Sequence, residues 1–301
     1  MKIFCADIGG TFVKYGLYDG ENIIRQGRFS TRPYADSERF LLHLESLIEK
    51  LSRGQHLDGI ALASAGVIDR RLGQVIYANN LSFLNQVPLR EQLETRFNCP
   101  VYLENDCNAA AFGELKRGCG QHMSQRSFLC LTFGTGVGGS FIQNGHIYHG
   151  PSGQSCEFGR MLIWTQTRHG MRLKSFEQLA SSRALVKSCA KSAKRPYTLR
   201  EVMARYEEDL ISKAIDQWCQ YVAMAISNLT AAFSCQHVVL GGGVFTYHQI
   251  LIPMIQKHLS LMTDQRSPEI HLYPAQLGND AGLVGVSYML AGRLIRSKKK
   301  R

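Results

Sequence analysis

The constraint that most narrows the fold is a pattern that occurs twice: a short apolar strand, a glycine turn and a returning strand. The first copy runs from Ile3 to Ile8, turns at Gly9-Gly10-Thr11 and returns from Phe12 to Tyr18. A run this short, closed by a turn signal, is too brief for a helix and reads as a buried strand. The second copy runs from Phe128 to Phe133 and turns over Gly134-Thr135-Gly136-Val137-Gly138-Gly139. It returns from Ser140 to Gln143 into the hairpin signal Asn144-Gly145. Only the first copy carries an acidic residue, Asp7, at the end of its strand, with Lys14 on the way back. An ordinary Gly-Gly hairpin accounts for the first copy taken alone. The pair asks for more, because backbone N–H groups in glycine turns form anion-binding concavities. Two of them suffice to hold the phosphates of one nucleotide.

A third cluster, Val238-Val239-Leu240-Gly241-Gly242-Gly243-Val244, is again a buried strand ending in glycines. Glycine lets the backbone approach a flat ligand or a ribose without a Cβ in the way. A plain strand-to-helix turn is the competing reading, since Gln249 to Leu261 looks helical. The sequence holds no GxxxxGK[ST] phosphate loop. Gly134 to Gly139 matches GxGxxG literally but leads into a strand, so the dinucleotide-binding context is missing. A carboxylate at the end of a strand, as Asp7 is, suits hydrated Mg²⁺, a hard cation that releases its waters reluctantly.

These three segments resemble the nucleotide-contacting segments of the ROK family of sugar kinases and repressors, and the resemblance covers essentially the whole chain. It implies an α/β, two-domain, actin/hexokinase-like (ribonuclease H-like) fold with a cleft between the domains, and ATP and Mg²⁺ as cofactors. By the same resemblance Gly9, Gly10, Thr11, Lys14, Gly134, Thr135, Gly136, Gly138, Gly242 and Gly243 contact ATP, and Asp7 holds Mg²⁺ through water. Glu104-Asn105-Asp106 with Asn108-Ala109-Ala110-Ala111 is similar to the loop that supplies the family's catalytic aspartate. Glu157-Phe158-Gly159 resembles its ExGH sugar-binding motif, and Asn279-Asp280-Ala281-Gly282 begins a segment like its C-terminal signature.

The chemistry of the central loop also follows from its residues. Pro100 to Glu104 reads as a strand, and Asn105-Asp106 opens an alanine-rich helix over Ala109 to Leu115. A carboxylate at such a junction commonly caps the helix. Phosphoryl transfer to a sugar hydroxyl, however, needs a base for the hydroxyl proton, and Asp106 has an amide, Asn105, beside it. Asp106 is therefore the expected catalytic base and, with Asn105, a sugar contact. Glu157 and Glu177 are expected to accept sugar hydroxyl protons through charge-assisted hydrogen bonds. Isolated glutamates are otherwise ordinary surface residues. Asn80, in Ala78-Asn79-Asn80-Leu81, resembles the family's PNL sugar contact with proline replaced. Gly66, in Ser64-Ala65-Gly66-Val67, marks a loop able to press backbone against a sugar face. A plain surface turn explains either segment equally well.

One departure from the family pattern is informative. Arg160 stands where the family has the histidine of ExGH. Between Glu157 and Glu177 there is no cysteine, and His169 is the only imidazole. A structural zinc site needs four ligands, so no zinc is expected. The segment resembles the zinc-less branch that includes β-glucoside kinases.

Nine scattered cysteines without CxxC spacing argue against a disulfide framework or a metal cluster. No apolar run spans a membrane, and the start carries no basic-then-apolar leader. A cytoplasmic protein is expected. The net charge of +11 draws partly on the Arg293–Arg301 tail, and a basic surface attracts nucleic acid only non-specifically. The phosphate turn begins at Asp7, which leaves no room before it for the DNA-binding region of ROK repressors. The expected domains are 1–113 with about 284–301, and 114–283. The expected function is an ATP-dependent sugar kinase that phosphorylates a hydroxyl, the 6-OH, of glucose or a β-glucoside. An N-acetylmannosamine kinase and a non-catalytic sugar sensor on the same fold are the alternatives. Expected partners are the sugar and a second copy in a homodimer, with no specific nucleic acid and no membrane.

Overall fold

The computed structural model describes all residues except 124–125, 152, 168–169, 194, 263–267 and 300–301. In chain order the elements are β1 (Ile3–Ile8), β2 (Phe12–Tyr18), β3 (Ile23–Ser30), α1 (Ser37–Ser52), β4 (Gly59–Ser64), β5 (Val67–Asp69), β6 (Gln74–Tyr77), α2 (Leu89–Phe97), β7 (Val101–Asn105) and α3 (Asp106–Arg117). There follow β8 (Phe128–Phe133), β9 (Val137–Gln143), β10 (His146–Ile147), β11 (Leu162–Thr167), β12 (Gly170–Ser175), α4 (Phe176–Ala180), α5 (Ser182–Ala193) and α6 (Leu199–Ala204). The last are α7 (Asp209–Phe233), β13 (His237–Gly241), α8 (His248–Met262), β14 (His271–Pro274) and α9 (Ala281–Lys298).

The chain forms two compact units. One comprises Met1–Gln121, His149–Ser155 and Asp280–Arg301; the other comprises His122–Tyr148 and Cys156–Asn279. Their main sheets share one plan. The first has the order β3-β2-β1-β4-β7, antiparallel across β1, β2 and β3 and parallel across β1, β4 and β7. The second has the order β10-β9-β8-β13-β14, with the same alternation of antiparallel and parallel pairs. The repeated strand–turn–strand pattern is thus the opening antiparallel pair of each sheet.

Local chemistry sets the element ends. Asp36 caps α1 by accepting the Arg39 N–H at 2.9 Å, a contact that stabilises a helix start by about 1 kcal/mol. Asn144 and Gly145 both have positive φ, as a two-residue β9–β10 hairpin demands. β9 starts at Val137, earlier than Ser140, because Gly138 and Gly139 are in the ladder opposite Thr132 and Leu131. The second glycine turn proper is therefore Gly134–Gly136.

Each unit has its own core. Phe4, Ile8, Phe40, Leu44 and Leu62 are buried in the first. Phe133, Phe176, Trp218, Ile226 and Leu240 are buried in the second, where Trp218 Nε1 donates to the Ala180 carbonyl at 2.8 Å. In the first unit α9 runs along α3 at a distance only glycine permits: a Cβ built on Gly285 falls 1.7 Å from the Ala109 carbonyl oxygen. That contact holds the helix that begins at Asp106. Among the described residues no helix is long and apolar enough to cross a membrane.

Candidate active site

The site residues of the first unit lie at the C-terminal ends of β1, β4, β6 and β7 or just after them, with Lys14 on β2. Gly9 closes the first turn by donating its N–H to the Phe12 carbonyl at 3.0 Å. Asp7, opposite Lys14 in the β1–β2 register, has its Oδ2 3.3 Å from Lys14 Nζ. Burial raises the Asp7 carboxyl above its ordinary value; the Lys14 charge and hydrogen bond oppose that rise, and Asp280 adds to it. A Cβ on Gly282, at the start of α9, would lie 2.9 Å from Asp7 Oδ2. The small residue there leaves one side of the carboxylate uncrowded.

Asn80 sits in the 3₁₀ segment Asn79–Leu84, which kinks at Leu81, and its Cβ lies 2.7 Å from the place a Cβ on Gly10 would take. The first phosphate turn and the predicted sugar contact are therefore neighbours. Gly66 has φ +104 with the Tyr77 carbonyl and Ala78 packed against it, and its own carbonyl accepts Asn105 Nδ2 at 3.0 Å. Gly10, Gly66, Asn80 and Asn105 thus converge from four segments, those that follow β1, β4 and β6 and the end of β7.

The junction of β7 with α3 separates the capping residue from the candidate base. Asn105 is the cap: its Oδ1 accepts the N–H groups of Cys107 at 2.9 Å and Asn108 at 3.1 Å. Asp106 is already helical, its Oδ1 accepting the Cys107 N–H at 2.9 Å. Burial, and secondarily the charge of Asp7, push its carboxyl up from 3.8 to about 6. A capping carboxylate is held ionised by backbone N–H groups; Asp106 is displaced the other way, toward the range where a carboxylate accepts a proton effectively.

Sequence reasoning read Glu104 only as part of the loop's resemblance and overlooked His149. Glu104 is 1% exposed and hydrogen-bonded to His149 Nε2 at 3.0 Å. Burial pushes its carboxyl up, but His149, Tyr102 and Asn108 outweigh that and hold it below the ordinary value. A lone glutamate in an otherwise apolar strand was the signal available for Glu104. The sequence gives no comparable sign for His149.

In the second unit the Gly134–Gly136 turn is braced from within by Gly134 N–H to the Gly136 carbonyl at 2.9 Å, and by Ser182, whose N–H reaches the Gly134 carbonyl at 3.1 Å. Glu177 Oε2 accepts the Val137 N–H at 3.1 Å and stands 2.2 Å from where a Gly136 Cβ would be. Glu177 therefore touches the turn itself. Glu157 precedes the 3₁₀ turn Phe158–Arg160, and Gly159 packs so tightly on the Val137 carbonyl that a Cβ would lie 2.3 Å from it. Arg160, in the place of the family histidine, pairs with Glu157 at 3.3 Å on an exposed surface. Gly242, with φ +92, seats the third glycine cluster on the Phe133 backbone at the end of β8, while Gly243 faces open space. Thr11 and Gly134 are exposed at their turns.

Among the described residues no three His, Cys, Asp or Glu side chains form a metal-holding group; His169 lies outside them. The carboxylate of Asp7 beside the first glycine turn has the hard oxygen chemistry that a largely hydrated Mg²⁺ accepts.

The sequence matches the ROK family over residues 3–293. It is 30% identical to a glucokinase of Streptomyces coelicolor, over 93% of this chain and 95% of that one. It is 28% identical to a β-glucoside kinase of Listeria monocytogenes, over 96% of this chain and 97% of that one. The fold is similar, at a TM-score of 0.80 and 25% identity, to a ROK glucokinase from Streptomyces griseus crystallised with glucose and AMPPNP, covering 96% of this chain and 99% of that one. With two sheets of one plan, each opened by a glycine turn, and a match over nearly its whole length, the chain belongs to the ROK family, whose fold is actin/hexokinase-like.

Proposed function

We propose that this protein is an ATP-dependent sugar kinase that transfers the γ-phosphoryl group to a hydroxyl of a hexose, the 6-OH of glucose or of a β-glucoside. The observation that carries the reading is Asp106: a carboxylate in the first turn of α3, not needed as its cap, with its carboxyl raised to about 6. In the proposed reaction Asp106 accepts the hydroxyl proton as the oxygen attacks phosphorus. Asn80, Asn105, Glu157, Glu177 and Gly66 bind and orient the sugar. The turn residues Gly9, Gly10, Thr11, Gly134, Thr135, Gly136 and Gly138, with Lys14, hold the phosphates, and Gly242 and Gly243 take the nucleoside side. Asp7 would hold Mg²⁺ through water; when bound, the ion neutralises phosphate charge. Asp7 keeps its own carboxylate oriented through Lys14.

The names of the glucokinase and β-glucoside kinase relatives support a glucose-configured substrate. The cysteine-free Glu157–Glu177 segment supports the zinc-less, β-glucoside-kinase-like branch. We further propose a cytoplasmic homodimer and no specific nucleic-acid partner. An ADP-release assay across glucose, other hexoses, N-acetylmannosamine and β-glucosides tests the function. Turnover is expected with glucose or a β-glucoside. Sugar binding without ADP release from any member of the panel would instead establish a non-catalytic sensor.

A further inference from the structure

Four donors converge on the buried carboxylate of Glu104. Oε1 takes the Asn105 N–H at 3.1 Å and Asn108 Nδ2 at 3.1 Å. Oε2 takes the Tyr102 hydroxyl at 2.6 Å and His149 Nε2 at 3.0 Å. They occupy the four lone-pair sites of an ionised carboxylate, which is what makes a buried charge tolerable. The two halves have different jobs. Oε1 grips the residue just before Asp106 and the residue two after it, so the first turn of α3 cannot rotate about its axis without breaking one of these bonds. Oε2 is tied to Tyr102, two residues back on β7, and to His149, 45 residues away along the chain. Tyr102 is covered by the Arg293 guanidinium of α9 at 4.0 Å from its ring. His149 arrives from the short His149–Ser155 segment, which belongs to the first unit although the residues on either side of it belong to the second.

We infer that Glu104 is a positioning residue for Asp106, and that His149 is the outer donor that fixes Glu104. This inference rests on the reading of Asp106 as the base. Neither residue touches the sugar in this scheme; they set where the Asp106 carboxylate meets the reacting hydroxyl. A misplacement of about 1 Å at such a point costs about 10²-fold in rate, whereas sugar contacts through Asn80, Glu157 and Glu177, which lie on other segments, would be unaffected. The signature is therefore a loss in kcat without a matching rise in KM.

The test compares E104Q, H149L, H149Q and D106N in the full-length protein, with kcat, KM for sugar and ATP, and melting temperature measured for each. Glutamine at 149 can present an amide N–H close to where Nε2 donates; leucine fills the volume without a donor. H149L and E104Q are expected to lose about 10- to 100-fold in kcat, with KM held within about threefold, and H149Q to remain within about threefold of wild type. Wild-type kcat in E104Q and H149L would overturn the inference. So would H149Q as impaired as H149L, or losses explained wholly by melting below the assay temperature. Because His149 is partly exposed, its pair of variants can decide the question even if E104Q does not fold. An inactive D106N beside a fully active E104Q removes this inference alone. A fully active D106N removes the base reading and this inference with it.

Discussion

Asp106 and Asp7 are two carboxylates whose charges meet inside one unit: burial first, and the charge of Asp7 second, raise the Asp106 carboxyl from 3.8 to about 6. Raising a carboxyl in the folded state means that ionised Asp106 opposes folding. Its stabilising contribution is full below 3.8 and is lost as pH climbs through about 6. Asp106→Asn should therefore cut kcat by at least ~10² while making the protein more stable at pH 7.5, by up to about 3 kcal/mol on the displacement given above. At pH 3.5, where the wild-type carboxyl is already protonated, the gain should vanish. Thermal melts at both pH values, alongside sugar binding, check both halves. A variant that is less stable at pH 7.5 would mean that the carboxylate serves the helix rather than the reaction.

The same displacement sets a kinetic expectation. A base must be unprotonated to work, so kcat/KM for the sugar should fall on the acid side of about pH 6, with the limb reporting the ATP-bound enzyme before it takes sugar. The limb should move down when Asp7 is replaced by Asn, since the second cause of the rise is then gone. A pH–rate profile of wild type and Asp7→Asn, with ATP and Mg²⁺ saturating, measures this directly. A limb that stays in place would show that the two carboxylates do not interact.

What was readable in the sequence was whatever short-range punctuation determines. β1, β2 and β8 run between the residues their flanking glycines and apolar runs suggest, because a turn signal next to a strand fixes its end. The start of β9 was misplaced because glycines in a ladder look like glycines in a turn. Only the approach of Phe158 and the Cys156 carbonyl to Gly139 shows why a strand would carry one there. Asn105 and Asp106 are both good caps, and the extended backbone of Asn105, at φ −65 and ψ 143, decides between them. Glu104 and His149 lie 45 residues apart, and no periodicity reports that a surface-type residue will be buried against a partner at that distance.

Metal dependence follows from the donor set. Activity should require Mg²⁺, and Asp7→Asn should raise the Mg²⁺ concentration for half-maximal activity by about tenfold or more, since one charge-assisted anchor is lost. Elemental analysis of the purified protein should find no stoichiometric zinc. One tightly held zinc per chain would overturn the reading of the Glu157–Glu177 segment, whatever the Mg²⁺ result.

The last expectation separates glycines kept for folding from those kept for a ligand. At Gly242 the backbone has φ +92, and an added Cβ would lie 2.2 Å from the Phe133 carbonyl oxygen and 2.6 Å from its nitrogen. Both obstacles are backbone, so neither can swing aside. Gly242→Ala should therefore lose about 2–4 kcal/mol of stability or fail to fold. At its neighbour Gly243, φ is not positive and nothing lies within 4 Å of an added Cβ. Gly243→Ala should fold like wild type, and a changed melting temperature there would contradict the geometry. If Gly243 faces the nucleotide, its methyl group intrudes where backbone must come close, and KM for ATP should rise about tenfold while KM for the sugar stays put. Unchanged kinetics in a normally folded Gly243→Ala protein would remove this glycine from the ATP site and leave the third cluster as a strand-to-helix turn.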